Sequence, residues 1–99
     1  MPRPRNKGRR ESALESPSVK WARARGIVVA KMTEVAGIPD RIFFMPKGRP
    51  LVIEFKAEKE VPRELQSWYL TTIKEAGYRV AYCDTKKKFL DLMAKYGVT

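Results

Sequence analysis

A chain of 99 residues is long enough for one compact domain with a single core and too short for two ordinary ones. Its 21 Lys and Arg against 11 Asp and Glu give a formal net charge of +10 at pH 7, which attracts polyanions such as nucleic acid, although a merely soluble basic protein is the alternative. With no histidine and Cys83 as the only cysteine, the composition excludes intrachain disulfides, zinc clusters of Cys and His, and a histidine general base.

The first ten residues form a basic arm with nothing to bury, so we expect residues 1–10 to be disordered until they meet a partner. Its five cations are Arg3, Arg5, Lys7, Arg9 and Arg10. They favour contact with phosphate groups, the alternative being a solvated tail without a role. No apolar core follows them as in a secretory signal, and no apolar run approaches the ~18 residues of a membrane span. We therefore expect a cytoplasmic protein without a membrane partner, with one domain over residues 11–99.

The ordered part is predicted to begin with a helix that ends at Gly26, a residue type common just after a helix. Pro17 leaves two alternatives for the start of this helix. Either Ser16 caps a helix whose first residue is Pro17, or the helix begins near Glu11 and is kinked at the proline.

Three apolar segments then predict β-strands, at residues 27–32, 41–45 and 51–56. The segment 46–50 contains two prolines and a glycine and is typical of a turn, so the second and third strands form a hairpin. Centring this turn on Gly48 places Asp40 opposite Lys56.

From Pro62 the apolar spacing becomes helical and predicts a helix that ends at Gly77. The residues at this spacing are Leu65, Trp68, Tyr69, Thr72, Ile73 and Ala76. A fourth strand is predicted over residues 78–84 and a last helix over residues 86–96. The predicted fold class is therefore α/β, a mixed sheet of about four strands flanked by helices in the order αβββαβα.

The predicted strand at residues 51–56 contains two charged residues, Glu54 and Lys56, among apolar ones. Glu54 is a carboxylate among apolar neighbours, where an uncompensated charge costs several kcal/mol. Lys56 shares its face of the strand, and the hairpin brings Asp40 to that face. Two carboxylates are the hard oxygen ligands that Mg²⁺ prefers, and a metal held there could activate a water against a phosphate. Lys56 could then orient or deprotonate that water, or neutralise the phosphate.

A structural alternative exists for each of these residues. Glu54 and Lys56 would form an ion pair on an edge strand, and Asp40 would serve only the turn after Pro39. Taken separately, these explanations are the better ones. Taken together, they leave unexplained why three polar residues converge within otherwise apolar strands.

Three motifs follow one another in the sequence: Gly-Ile-Pro-Asp-Arg at 37–41, Glu-Phe-Lys at 54–56, and Gln66 in the following helix. With them the sequence resembles the PD-(D/E)XK nuclease superfamily in its virus-type replication-repair (VRR-NUC) form, over residues 11–84. A lone Glu-x-Lys has no specificity, but its combination with Gly-x-Pro-Asp, a downstream glutamine and a Gly-Tyr-x-Val strand is specific. The resemblance implies a restriction-endonuclease-like core.

The resemblance also implies roles for individual residues. Asp40 and Glu54 would be ligands of Mg²⁺ or Mn²⁺, and the backbone carbonyl of Phe55 would add a third ligand. Lys56 would be the catalytic lysine, and Gln66 would contact the attacking water or the phosphate.

Family members carry a further glutamate on the first helix. Glu15 matches it by its distance from Gly26, with Glu11 as the substitute, and Pro17 departs from the uninterrupted helix that the family pattern implies. The residues that we expect to bind DNA are Lys31, Arg41, Arg9 and Arg10. For Lys31 the alternative is a solvated strand end.

Two aromatic residues follow Gln66 in the same helix. Tyr69 matches a Gln-x-x-Tyr variant of the family pattern, and both Trp68 and Tyr69 could stack on bases. At helical spacing, however, such residues more often belong to the core, and we favour that interpretation.

The resemblance implies a metal-dependent DNA endonuclease acting on branched DNA, with a four-way junction as the preferred substrate and a homodimer as the active form, of bacterial or phage origin. A two-fold symmetric dimer suits a junction whose strands are themselves related by symmetry. One alternative is a junction resolvase or restriction-like nuclease of the same fold. The other is a basic nucleic-acid-binding module without catalysis.

Overall fold

The computed structural model describes residues 9–99, with side chains described from Ser12 onward. The elements are α1 (Arg9–Ala24), β1 (Val28–Lys31), β2 (Arg41–Met45), β3 (Arg49–Phe55), α2 (Glu64–Glu75), β4 (Arg79–Cys83) and α3 (Lys86–Lys95). This order confirms the predicted αβββαβα arrangement. Residues 1–8 of the predicted arm lie outside the described residues, while Arg9 and Arg10 are already the first residues of α1. No helix within residues 9–99 combines the length and hydrophobicity needed to cross a bilayer.

The first helix begins before its proline. Of the two predicted starts the earlier one is correct, because Pro17 lies inside α1 and does not open it. The helix ends as predicted around Gly26, whose φ of +81° suits glycine. There the Gly26 N–H donates to the carbonyl of Arg23 and the Ile27 N–H to that of Ala22, at 3.0 and 3.1 Å. These two bonds give the carbonyls of Arg23 and Ala22 hydrogen-bond donors at the end of the helix, where the chain leaves α1 and continues towards β1.

The four strands form one mixed sheet in the order β1-β2-β3-β4. The first two pairings are antiparallel and the β3–β4 pairing is parallel. A parallel pair needs a crossover connection, which α2 provides. Because β3 lies between two other strands, the interpretation of Glu54 and Lys56 as an edge-strand ion pair is wrong.

The register of the hairpin differs from the prediction by two residues. Met45 pairs with Arg49 across the three-residue turn Pro46–Gly48, and Arg41 pairs with Ile53. The next position beyond that pair places Asp40 opposite Glu54 instead of Lys56. Since side chains alternate with a period of two, this shift leaves every side chain on its predicted face.

The main core lies between one face of the sheet and the helices α1 and α3. Its aromatic centre consists of Phe43, Phe55 and Phe89, whose ring centroids are 5.9 to 6.4 Å apart. The buried residues of this core are Val19, Ala22, Ile27, Val29, Phe43, Met45, Leu51, Ile53, Phe55, Cys83, Phe89, Met93 and Val98. Alternation along β3 directs Val52 to the other face, against which α2 packs.

Helix α2 buries a narrower face than its apolar spacing predicts. Gln66 and Leu70 are its buried residues, and Tyr69 is half-buried. Trp68 is 57% exposed, so its assignment to the core is wrong. Its ring instead meets that of Tyr69 edge-on, with centroids 5.0 Å apart. The helix thus exposes the indole of Trp68 to solvent and directs the amide of Gln66 towards the sheet.

Candidate active site

Asp40 is held where β2 begins, at the end of the loop that follows β1. It is 5% exposed, and its backbone carbonyl accepts the N–H of Met32 at 2.9 Å. Its carboxylate oxygen Oδ2 accepts the backbone N–H of Phe55 at 2.8 Å. One side chain therefore joins the start of β2 to the end of β3, and fixes a carboxylate beside the Glu54–Lys56 segment.

Glu54 is completely buried in the interior strand of the sheet. It lies beside Tyr82 of β4 on one side and opposite Asp40 on the other. Alternation directs its side chain to the face covered by α2, away from the aromatic core. A carboxylate at such a place is costly unless its charge is compensated, which favours a binding or catalytic role.

Lys56 follows on the same face and is 3% exposed. Its backbone N–H donates to the carbonyl of Cys83 at 2.9 Å, which continues the pairing between β3 and β4. Its ammonium donates to the side-chain oxygen Oε1 of Gln66 at 3.2 Å. The same oxygen accepts the N–H of Arg63, the residue that caps α2, at 2.8 Å. Gln66 thereby ties the beginning of α2 to the lysine, a contact that the sequence did not predict.

Glu15 approaches the sheet from α1. It is 4% exposed, and its oxygen Oε2 accepts the Nε–H of Arg41 at 2.7 Å in a partly buried ion pair. Because Arg41 follows Asp40 directly, Glu15 is anchored one residue from the site. Arg41, expected to bind DNA, is thus also a link between α1 and β2.

Of the remaining predicted DNA-binding residues, Lys31 is the one whose side chain the structure describes. Lys31 is exposed at the end of β1, paired across the strands with Arg41. The side chains of Arg9 and Arg10 lie outside the described part of the structure.

The donor set of this region fits a hard divalent cation. Asp40 and Glu54 are buried carboxylates at facing strand positions, and the backbone of Phe55 lies between Glu54 and Lys56. Among the residues that the structure describes, no group of three His, Cys, Asp or Glu side chains is arranged for metal binding. Two carboxylates that shared an ion would leave most coordination positions for water and phosphate, which is how Mg²⁺ is commonly bound.

One buried acid that the sequence did not single out lies next to the site. Asp84 accepts the backbone N–H of Lys59 at 2.8 Å and forms an ion pair with Lys88 at 2.7 Å. The hydrogen bond from Lys88, followed by that from Lys59, lowers the pKa of Asp84 below its usual value. The sequence signal is its position before Thr85, which caps α3. Asp84 secures the loop between Lys56 and α2.

Cys83, at the end of β4, takes no part in this chemistry. Burial, reinforced by the nearby charge of Asp84, raises the pKa of its thiol to about 12. The thiol is therefore protonated at neutral pH and is not a nucleophile.

Comparison with known proteins identifies the family. The family model described as the VRR-NUC domain matches residues 6–87. A solved structure described as a VRR_NUC domain has 22% sequence identity and a TM-score of 0.82, with 90% of this chain and 99% of that chain covered. A second, described as a VRR_NUC domain protein, has 16% identity and a TM-score of 0.75, with 93% and 91% covered. No curated protein matches the chain with significance.

The two structural likenesses confirm the α/β fold, a mixed four-stranded sheet with three helices. The family model covers most of the chain and includes the three sequence motifs at 37–41, 54–56 and 66. The protein belongs to the VRR-NUC domain family and has its nuclease-type fold.

Proposed function

We propose that the protein is an Mg²⁺- or Mn²⁺-dependent endonuclease that hydrolyses phosphodiester bonds in DNA, with branched DNA, including four-way junctions, as its preferred substrate. The observation that carries this proposal is the group of buried polar side chains Asp40, Glu54 and Lys56 on two neighbouring strands. Membership of the VRR-NUC family and the nuclease-type fold support it.

In this proposal Asp40, Glu54 and the carbonyl of Phe55 hold the metal ion. Glu15 stays a candidate further ligand through its match to the family's glutamate on the first helix, and its ion pair with Arg41 links α1 to the residue that follows Asp40. A bound divalent ion supplies positive charge to the phosphate in the transition state and lowers the pKa of a coordinated water.

Lys56 acts on the phosphate and on the attacking water. Its amine is buried and held by the side-chain oxygen of Gln66, so its direction is fixed before substrate arrives. From there it donates a hydrogen bond to a phosphate oxygen or orients the water whose oxygen attacks phosphorus. The water oxygen forms a bond to phosphorus as the bond from phosphorus to the leaving oxygen breaks. The water's proton passes to solvent, and the leaving oxygen keeps the bonding electron pair and takes a proton from solvent.

The proposed DNA contacts follow from the charge of the chain. The formal net charge of +10 favours a polyanion, and Lys31, Arg41, Arg9 and Arg10 are the proposed phosphate contacts. We extend the proposal to a homodimer, because a domain of 99 residues gains buried surface from a second copy and two symmetric sites suit a four-way junction.

The decisive experiment is a cleavage assay on linear, flapped, nicked and four-way DNA, with Mg²⁺, Mn²⁺ or EDTA. We expect metal-dependent cutting of branched DNA that EDTA abolishes. A protein that binds these DNAs but cuts none of them with either metal would be the non-catalytic binding module instead.

The mechanism predicts separate effects on binding and cutting for Lys56→Ala. Cutting is expected to fall by at least about 100-fold, while the affinity for DNA changes little, because one buried lysine contributes little to a long-range electrostatic attraction. Lys74→Ala, which removes the same charge from an exposed position on α2, is the matched control and is expected to cut normally. If both variants cut equally well, Lys56 is not part of the mechanism.

A further inference from the structure

One face of the sheet is covered over only half of its width. Helix α2 packs against β4, and Val52 of β3 is buried on this face, whereas the same face of β1 and β2 has no helix over it among residues 9–99. Two large apolar residues stand open there, Val28 at 66% and Phe44 at 51% exposure. A monomeric domain rarely exposes such a contiguous apolar surface without using it.

The strand register arranges this surface in two rows. Val28, Phe44 and Pro50 lie side by side across β1, β2 and β3, and Ala30, Ile42 and Val52 form the next row. We call the exposed and half-buried members of these rows the apolar platform. They are Val28, Ala30, Ile42, Phe44 and Pro50.

The apolar platform is continuous with the candidate site. The row after Ile42 is that of Asp40 and Glu54, since side chains two residues apart share a face. Phe44 therefore lies about 13 Å along β2 from Asp40, a distance of about four stacked base steps. A DNA strand whose phosphate is at the site can reach Phe44 with a base.

The charge of the chain indicates which kind of partner binds the apolar platform. Exposed Lys47 lies in the hairpin turn at one end of the apolar platform. Exposed Lys31 lies at the end of β1 nearest the candidate site, although alternation directs its side chain to the other face. A second copy seated on this face would cover the approach to the candidate site, so a homodimer that keeps both sites open has to pair through another surface. An aromatic ring on an apolar surface, with Lys47 at its end and in a chain of net charge +10, is the kind of surface that single-stranded nucleic acid binds through its bases and phosphates.

We propose that the apolar platform binds the unpaired bases of branched DNA by stacking on Phe44, and thereby distinguishes a branch point from an uninterrupted duplex. This inference rests on the proposed DNA substrate but not on cleavage. Paired bases are stacked within the duplex and cannot cover Phe44, so the contact is available only where strands have separated.

The test measures binding in EDTA, so that it does not depend on catalysis. Fluorescence anisotropy gives the affinities of the wild type, Phe44→Ala, Phe44→Leu and Phe44→Trp for a labelled flapped DNA and for a duplex of the same length. We expect Phe44→Ala and Phe44→Leu to weaken binding of flapped DNA about tenfold and binding of duplex less than twofold. Phe44→Trp should keep wild-type affinity, because it keeps a ring.

Tyr96→Leu is the control, a half-buried aromatic residue at the end of α3, which packs on the opposite face of the sheet. It is expected to bind both DNAs like the wild type. Equal affinities of the wild type and Phe44→Ala for flapped DNA would overturn the inference. So would wild-type affinity of Phe44→Leu, which would mean that apolar area and not stacking matters.

Light scattering of the wild type and Phe44→Ala tests whether a second copy of the chain occupies the apolar platform instead of DNA. We expect the same mass for both proteins, and a lower mass for the variant would assign the apolar platform to a contact between copies. Failure of the inference differs from failure of the proposed function. A protein with the expected Phe44 dependence of binding but no cleavage contradicts only the function, whereas metal-dependent cleavage without that dependence contradicts only the inference.

Discussion

At the scale of single residues, Asp40 has two tasks that a substitution can separate. Its carboxylate accepts the N–H of Phe55, and in the proposed mechanism it also binds the metal. Asp40→Asn keeps an oxygen for the N–H and loses the charge, whereas Asp40→Ala loses both. We expect Asp40→Asn to lose Mn²⁺ affinity in calorimetry while remaining nearly as stable as the wild type. Asp40→Ala should in addition lower the free energy of unfolding by about 1–3 kcal/mol, since a buried N–H is left without its acceptor.

Urea denaturation of both variants checks this separation. If Asp40→Asn were as unstable as Asp40→Ala, the charge itself would be needed for the fold. If Asp40→Asn bound Mn²⁺ like the wild type, Asp40 would not be a metal ligand.

The placement of the candidate site residues could be predicted from the sequence because few explanations exist for a carboxylate inside an apolar strand. Asp40, Glu54 and Lys56 were found by their type and alternation, and all three are buried together on neighbouring strands. The ion pair between Glu15 and Arg41 could not be found in the same way. It joins residues from different elements, and its geometry depends on how α1 packs on the sheet.

At the scale of elements, the loop before β2 depends on the absence of a side chain at Gly37. A Cβ there would lie 2.6 Å from Cγ of Leu65, and φ is +83°. Gly48 has a similar φ of +68° with open space around it, so it is a matched control for the backbone strain. We expect Gly37→Ala to lower the free energy of unfolding by about 1 kcal/mol more than Gly48→Ala does.

A second substitution tests the cause of that difference. In a Leu65→Ala background the steric contact is absent, so Gly37→Ala and Gly48→Ala should then cost about the same. Thermal or urea denaturation of the four variants measures this, and a difference that persists without Leu65 would contradict the steric explanation.

The loop between β3 and α2 depends on Asp84, which gives folding a pH dependence. The folded-state pKa of Asp84 is lowered by Lys88 and by the N–H of Lys59, so its contribution to stability is present above the unfolded pKa of about 3.9. That contribution is lost as the pH falls through the folded pKa. We expect Asp84→Asn to be less stable than the wild type by about 1–2 kcal/mol at pH 7, and the difference to vanish in strong acid.

Urea denaturation between pH 7 and pH 2 measures the difference in the free energy of unfolding between the wild type and Asp84→Asn. Asp91→Asn is the control, since Asp91 belongs to an exposed i,i+4 pair with Lys87, and such pairs add little to stability. A constant difference between the wild type and Asp84→Asn over the whole pH range would show that the charge of Asp84 is not responsible.

The order of the elements was predictable because apolar periodicity changes clearly from two residues to three or four. The hairpin register was not, because Lys47 adopts a left-handed conformation with φ of 69°, which the sequence assigns more naturally to a glycine. The exposure of Trp68 on α2 was also not predicted from the sequence. Trp68 has the spacing of a core residue, and only the placement of the helix over half the sheet leaves it in solvent.

At the scale of the whole molecule, size and charge favour opposite outcomes for self-association. A second copy would bury surface that a small domain lacks, but it would also bring together two chains of high positive charge. We expect the first effect to prevail in moderate salt, where repulsion is screened. Light scattering at micromolar concentration should then give twice the 11.4 kDa of the single chain. A monomer at all salt and protein concentrations would rule out the homodimer.

The interior position of β3 has a consequence for how substrate is admitted. This strand is bonded on both sides, and the Asp40 carboxylate and the Cys83 carbonyl extend that bonding through Phe55 and Lys56. Local opening is least frequent where backbone groups are paired and buried, so the reacting groups belong to the stiffest part of the molecule. In the proposed function, adjustment to a bent or branched DNA therefore comes from β1, which within residues 9–99 pairs only with β2, and from its loop. Movement of β1 and its loop can thus leave Asp40, Glu54 and Lys56 in place.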